Sequence, residues 1–288
     1  MDRHGSEEGD AEMRDHEQLD REIATHYASV PERERLAGPG SLERVRTWEL
    51  LGRYLPAPPA VVTDVGGGAG VYALPLAARG YEVHLVDPAG LHVEQARHAS
   101  GEQPPAPLAS ATVGDARRLD RPDASVDAAL LLGPLYHLTE RGDRVAALAE
   151  ARRVLRPGGV LAAAAISRFA STYDGLLRGF LDEPGFEEIV ERDVREGQHR
   201  NPTGQPHWFT TAFFHLPDEF AEEVADAGLR PHAVLAVEGP GWVLPDVAER
   251  LTDPARRQRL LTAIRRVEAE PSLLGASAHL LAIAQRPS

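Results

Sequence analysis

The chain has 288 residues, 42% of them apolar and 26% charged, with a net charge of −13 and no cysteine. That balance fits a globular protein of one embellished α/β domain or two smaller ones, and it excludes disulfides, thiolate-ligated zinc, iron–sulfur clusters and cysteine nucleophiles. All 31 basic residues are arginine, which excludes a P-loop lysine and a lysine Schiff base, and their interspersion among a surplus of acids argues against nucleic acid as a partner.

Residues 1–17 are acidic and aperiodic and read as a disordered tail. Residues 18–56 read as an N-terminal helical cap: one segment carries Ile23, Tyr27 and Val30, the next Leu42, Val45, Leu50 and Leu51 on a recurring face. An α/β core over 57–167 follows, with strands at 61–66 and 82–87 joined by a helix that ends at Gly80, then a helix from Leu91 to His98. Further strands are expected at 111–115, 126–133 and 159–167, the last after a helix that Arg156-Pro-Gly-Gly159 stops. Strands alternating with helices imply a parallel sheet covered on both faces.

Residues 168–216 break the alternation with helical pieces around 171–182 and 185–197 and an aromatic, histidine-rich stretch, which read as a substrate lid. Residues 217–288 complete the core with a helix at 217–227 and strands near 231–238 and 277–287, interrupted by a helical insertion over 239–274.

The stretch Asp64-Val-Gly-Gly-Gly-Ala-Gly70 ends the first strand and opens a helix, where glycines let a nucleotide-like ligand approach the backbone. Two readings are open. From Gly68 it fits the dinucleotide fingerprint G-x-G-x-x-A with Asp87 at the next strand end, as in an NAD(P)-dependent oxidoreductase. From Asp64 it fits D-x-G-x-G-x-G.

The second reading, with its surroundings, resembles a class I S-adenosylmethionine-dependent methyltransferase. Asp87 at the end of the second strand, Gly114-Asp115-Ala116 after the third, and Leu130-Leu-Leu-Gly-Pro-Leu-Tyr-His-Leu138 followed by a helix and Leu155-Arg-Pro-Gly-Gly159 carry the likeness, which spans about 42–167 and a last strand pair. It implies a seven-stranded, mostly parallel, doubly wound sheet with an N-terminal helical cap and a helical insertion after the fifth strand. It also implies S-adenosylmethionine as cofactor, with Asp87 on the ribose, Pro88 against the adenine, Asp115 and Ala116 at the adenine edge, and Asp64 facing the ammonium. Gly66, Gly68, Gly70 and Leu132 line the same ligand, and Tyr27 or Arg46 meets its carboxylate.

Methyl transfer relies on alignment and exclusion of water. His137, beside Tyr136 at the carboxyl end of the fourth strand, is the candidate base or acceptor-orienting residue. Arg168, His199, Asn201, His207, Trp208, Phe209, Phe213 and Trp242 are the candidate acceptor contacts, because aromatic walls with a few polar groups suit a discrete organic ligand. No histidine pair there has helical metal spacing, so no metal is expected.

The expected function is methylation of a small molecule, a specialised metabolite, at oxygen before nitrogen or carbon. The alternatives are the oxidoreductase, which a lysine-free chain leaves without a Tyr-x-x-x-Lys pair, and a cofactor-binding, non-catalytic subunit. No apolar run of about 18 residues is present and no signal-peptide pattern opens the chain, so a cytoplasmic protein without membrane contact is expected. Monomer and homodimer are equally compatible with the sequence.

Overall fold

A computed structural model describes residues 41–103 and 105–288. The expected tail over 1–17, the first part of the cap and Tyr27 lie outside the described residues. The elements in chain order are α1 (Ser41–Tyr54), β1 (Val61–Val65), α2 (Ala73–Ala78), β2 (Glu82–Asp87), α3 (Gly90–Gly101), β3 (Ser110–Val113) and β4 (Val126–Leu131). A short α4 (Pro134–His137), α5 (Arg141–Val154), β5 (Leu155–Ser167), α6 (Ala170–Arg178), α7 (Phe186–Glu196), β6 (Gln198–His199) and β7 (Ala212–His215) follow. The chain closes with α8 (Pro217–Asp226), β8 (Arg230–Ala236), α9 (Val247–Thr252), α10 (Pro254–Arg265), α11 (Pro271–Leu274) and β9 (His279–Gln285).

The main sheet runs β3-β2-β1-β4-β5-β9-β8, parallel except for β9, so it is the seven-stranded, doubly wound sheet expected. Burial explains the strand sequences. In β1 and β4 nearly every residue is buried because helices cover both faces, and continuous apolar runs replace the alternation of a one-sided sheet. β5 is rich in alanine, a weak strand former, but β4 and β9 pair with its two edges, and Ala162, Ala163 and Ala165 are almost wholly buried. One face packs against α5 and α8 through Leu148, Ala151, Phe220 and Val224. The other packs against α1, α2 and α3 through Leu50, Leu51, Leu76 and Val93.

The segment 168–216 adds a pair of strands to the helical pieces the sequence implied. Ala212-Phe-Phe-His215 forms β7, which pairs in parallel with Ile166 and Ser167 at the end of β5 and antiparallel with β6. β9 already occupies one edge of β5 at Ile166. β7 therefore takes the other edge, the one β4 leaves after its last pairing at Ala163. This places the β6–β7 ribbon beyond the end of β4, over the turn that carries Tyr136 and His137.

A buried ion pair locks α8 to α5. The Arg144 guanidinium donates to both Glu223 oxygens at 2.7 to 3.1 Å and to the Leu138 and Thr139 carbonyls at 2.9 and 2.8 Å, and it lies 3.6 Å over the Phe213 ring. Its donors are thus satisfied inside the protein, the condition under which such a pair is tolerated. Glu223→Ala removes the counter-charge and leaves the guanidinium buried; a loss of about 3 to 5 kcal/mol in urea unfolding is expected, and an unchanged midpoint would show that the pair does not hold these helices.

Candidate cofactor and acceptor site

At the carboxyl end of β1 the chain turns through glycines, for want of room at one position and for backbone conformation at another. Gly66 has φ +69°, and a Cβ on it would lie 2.8 Å from Pro134 Cδ, the first residue of α4. Gly68 has φ +54°, and the place where its Cβ would stand is open space. The first glycine serves a close approach of backbone elements; the second leaves a cradle beside the sheet edge.

Two carboxylates border that cradle. Asp87 ends β2 and is 4% exposed; its Oδ2 accepts the Gly68 N–H at 2.8 Å and its Oδ1 the Ala89 N–H at 2.9 Å, with His92 Nδ1 at 3.1 Å. Asp64, in β1, is 1% exposed, and its Oδ2 has no hydrogen-bond partner among the described residues. Burial, reinforced by the neighbouring Asp87 charge and opposed by the Ala73 N–H, pushes the Asp64 carboxyl up to about 7. An orphaned buried oxygen beside a second carboxylate calls for a donor, and a cationic one answers both charges. These acceptors thus fit the ammonium and ribose hydroxyls of S-adenosylmethionine, with Asp64 and Asp87 as the groups that would hold them.

Flanking these acids, Val113 is in register with Asp87, and Val113 and Leu91 are 61% and 59% exposed, an apolar surface suited to a planar ring. Neither was singled out from the sequence, because exposure of an isolated apolar residue is not written in it. Pro88 is exposed beside them. Asp115 is tied to its own loop: it accepts the Arg117 N–H at 2.8 Å and the guanidinium at 2.6 to 3.1 Å, and these bonds hold its carboxyl below the usual range. The Ala116 side chain is packed in the core.

Several implied contacts are corrected by the structure. Arg46 is fully buried in α1 and its guanidinium is committed to the Val237 carbonyl at 2.9 Å, Glu268 at 2.5 Å and Glu49 at 2.8 Å, so it is not available to a cofactor carboxylate. Arg168 is likewise spent on the Phe214 carbonyl at 2.7 Å and Glu219 at 2.5 Å. His199 is 1% exposed with Nδ1 at 2.8 Å from Asp193 and Nε2 at 2.7 Å from the Trp208 carbonyl, while Trp208 packs on Phe180 and Phe186. Both form the insertion's own core, and Phe213 is buried under the Arg144 and Arg168 guanidinia. Asn201 pins its loop by donating to the Gln205 and Phe209 carbonyls, each at 2.8 Å, and His207 is exposed. Trp242 donates to the Ala276 carbonyl at 2.8 Å and meets Tyr173 edge-on, clasping the second insertion to α6.

What does converge on the sheet edge is Tyr136, His137 and Phe209. The Tyr136 and His137 rings are 4.8 Å apart, Phe209 stacks on His137 at 6.0 Å, and His137 Nδ1 is 3.4 Å from the Thr211 carbonyl. Leu132, at the end of β4, faces a narrow cleft shared with Glu43, Thr47, Tyr72, Ala164, Val237, His279 and Leu281. Glu43, Glu238 and His279 bring their ligand atoms within 4.8 Å of one another. Spacing does not reveal this group, whose members are separated by 195 and 41 positions.

Comparison with known proteins bears directly on this geometry. Residues 62–159 match the family described as methyltransferase domain. The ubiquinone/menaquinone biosynthesis C-methyltransferase UbiE of Caulobacter sp. (strain K31) is 35% identical over 128 residues, 42% of this chain and 49% of that protein. The chain thus spans about half the length of that relative. Among solved structures, a SAM-dependent methyltransferase from Methanosarcina mazei superposes with a TM-score of 0.55 at 19% identity, over 83% of this chain and 97% of the other. A Haloferax volcanii putative methyltransferase, solved with the Trm112 activator, gives 0.57 at 18% identity over 92% and 98%. These likenesses show the fold, and the family match, which includes the glycine motif, favours the reading that starts at Asp64. Residues 62–159 thus resemble a methyltransferase domain, and the solved structures share the fold of S-adenosylmethionine-dependent methyltransferases.

Proposed function

We propose that the protein transfers a methyl group from S-adenosylmethionine to a small-molecule acceptor, at oxygen in preference to nitrogen or carbon. The observation that carries this reading is the orphaned, buried Asp64 Oδ2 beside Asp87 at the mouth of the glycine turn, within the region that matches the methyltransferase family. Asp87 holds the ribose hydroxyls, Asp64 the ammonium, and Leu91 and Val113 flank the adenine. His137, Tyr136 and Phe209 cover the acceptor side and exclude water from the reacting atoms. The name of the Caulobacter relative favours carbon as the rival acceptor atom. Among the described residues no helix is long and apolar enough to cross a membrane, and a water-borne, cytoplasmic reaction is part of this reading.

Two measurements test the cofactor assignment. Asp87→Ala is expected to weaken S-adenosylmethionine binding in isothermal titration by roughly 1.5 to 3 kcal/mol, the worth of a charged hydrogen bond; an unchanged Kd would remove Asp87 from the ribose.

The pH dependence carries the second. Asp64 pairs with the cofactor's ammonium only when ionised, and its carboxyl is raised to about 7, so a proton must leave before the ligand is held. Affinity is therefore expected to fall as the pH drops below about 7, approaching about tenfold per unit, and this slope should vanish in Asp64→Asn. The same slope in the variant would assign the proton to another group.

A further inference from the structure

Phe209 has a backbone conformation that its residue type does not favour. Its φ is +65° with ψ −175°, a combination essentially confined to glycine because a Cβ crowds the flanking carbonyls. Such a conformation persists only where the surroundings over-determine it, and here both flanking peptides are held. The Trp208 carbonyl, on the peptide before Phe209, lies 2.7 Å from His199 Nε2. The Phe209 carbonyl, on the peptide after it, accepts from Asn201 Nδ2 at 2.8 Å. One contact thus fixes φ and the other ψ, and the Phe209 ring is laid on His137 with the ring planes 27° apart.

His199 faces an acceptor on each side. Its Nδ1 is 2.8 Å from Asp193 Oδ2, which also accepts the Ser171 hydroxyl at 2.6 Å, and both His199 and Asp193 are buried. A carbonyl and a carboxylate cannot donate, so each ring nitrogen carries a proton and the ring is an imidazolium. The Ser171 bond favours the ionised form of Asp193, and the cation stacks on the Phe214 ring with centroids 4.7 Å apart and planes 12° from parallel. Further charges around the pair include Arg168, which a Cβ on Gly197 would meet at 2.7 Å and which Glu219 balances, and Arg200, which donates to the His199 carbonyl at 2.9 Å. Beyond Phe209 stands the ring of His137. Asn201 Oδ1 accepts the Thr203 hydroxyl at 2.7 Å, which leaves the amide nitrogen aimed at the Phe209 carbonyl.

We infer that His199 and Asn201 are positioning residues that clamp the two peptides around Phe209 and hold the acceptor-side cover closed, with a proton on His199 as the latch. The inference rests on the methyltransferase reading for what the cover encloses. A neutral imidazole keeps one N–H, and the carboxylate, as the charged acceptor, retains it. Nε2 then turns a lone pair on the Trp208 carbonyl at 2.7 Å, and that contact becomes repulsive. The peptide rotates away, the φ of Phe209 relaxes to negative values, and the ring leaves His137. The closed state binds a proton that the open state gives up, so closing is favoured at low pH and lost as the pH rises.

The test needs no acceptor. In NMR of the full chain with nitrogen-15 histidine, both His199 ring nitrogens should be protonated at every pH at which cross-relaxation connects the Phe209 and His137 rings. As the pH is raised, loss of the Nε2 proton and loss of that ring contact should share one midpoint, and Asn201→Ala should lose the contact throughout. In urea, Phe209→Gly should outlast Phe209→Ala, since both lack the ring and only glycine adopts this backbone freely; at an ordinary loop position the order is the reverse. The inference is overturned by a neutral His199 ring in the closed state, by separate midpoints, by a contact that survives Asn201→Ala, or by an alanine variant at least as stable as the glycine one. Isothermal titration with S-adenosylmethionine judges the underlying reading by itself. A chain that does not bind it strikes down that reading and the clamp's part in acceptor binding, while the NMR and urea results still decide whether the clamp exists.

Discussion

The turn after β1 has to pass between Pro134 on one side and two buried carboxylates on the other, and this steric and electrostatic constraint fixes the site. A Cβ at Gly67 would lie 2.9 Å from Asp64 Oδ2, and one at Gly66 would lie 2.8 Å from Pro134. Only a glycine run threads that gap. The same crowding keeps Asp64 dry and close enough to Asp87 for the two charges to disfavour each other. A binding-competent edge is thus strained electrostatically before any ligand arrives, and a cationic ligand relieves it.

The sheet supplies the rest by topology. Crossovers run in opposite directions from the β1–β4 gap, so the carboxyl ends of those strands open a crevice. The β6–β7 ribbon continues the sheet where β4 stops and brings Phe209 onto His137. β9 returns antiparallel and presents its first residue at the same edge. Three separate stretches of chain thus reach one crevice.

This explains what could be read in advance. The β1 turn, Asp87 and the strand–helix alternation are local: an apolar run ended by glycines and an acid names its own place at a strand end. β7 was hidden because Ala212-Phe-Phe-His215 has no period-2 pattern; it is buried on both faces and pairs with residues 48 positions earlier. The fates of Arg46 and Arg168 were hidden for a similar reason. A lone arginine near a ligand edge looks like an anion site, yet Glu268 and Glu219, 222 and 51 positions away, claim these two. Phe209 and Trp208 are adjacent in sequence and part company in space, one on His137 and the other in the insertion's core. Side-chain partners across long separations are set by packing, which composition and spacing do not encode.

Those internal pairings also shape the electrostatics of the crevice. Arg46, Arg144 and Arg168 are buried and each is held by an acid, so they structure the walls instead of offering positive charge to a ligand. Among the described residues, the charged groups beside the crevice include Asp64, Asp87, Glu43 and the Glu238–His279 pair. An acidic crevice favours a cationic ligand, and the proposed methyl donor carries its positive charge on the sulfonium and the ammonium. Committing the arginines to the scaffold and the acids to the crevice is therefore a single device: it stabilises the walls and, in the proposed reaction, attracts the cationic methyl donor.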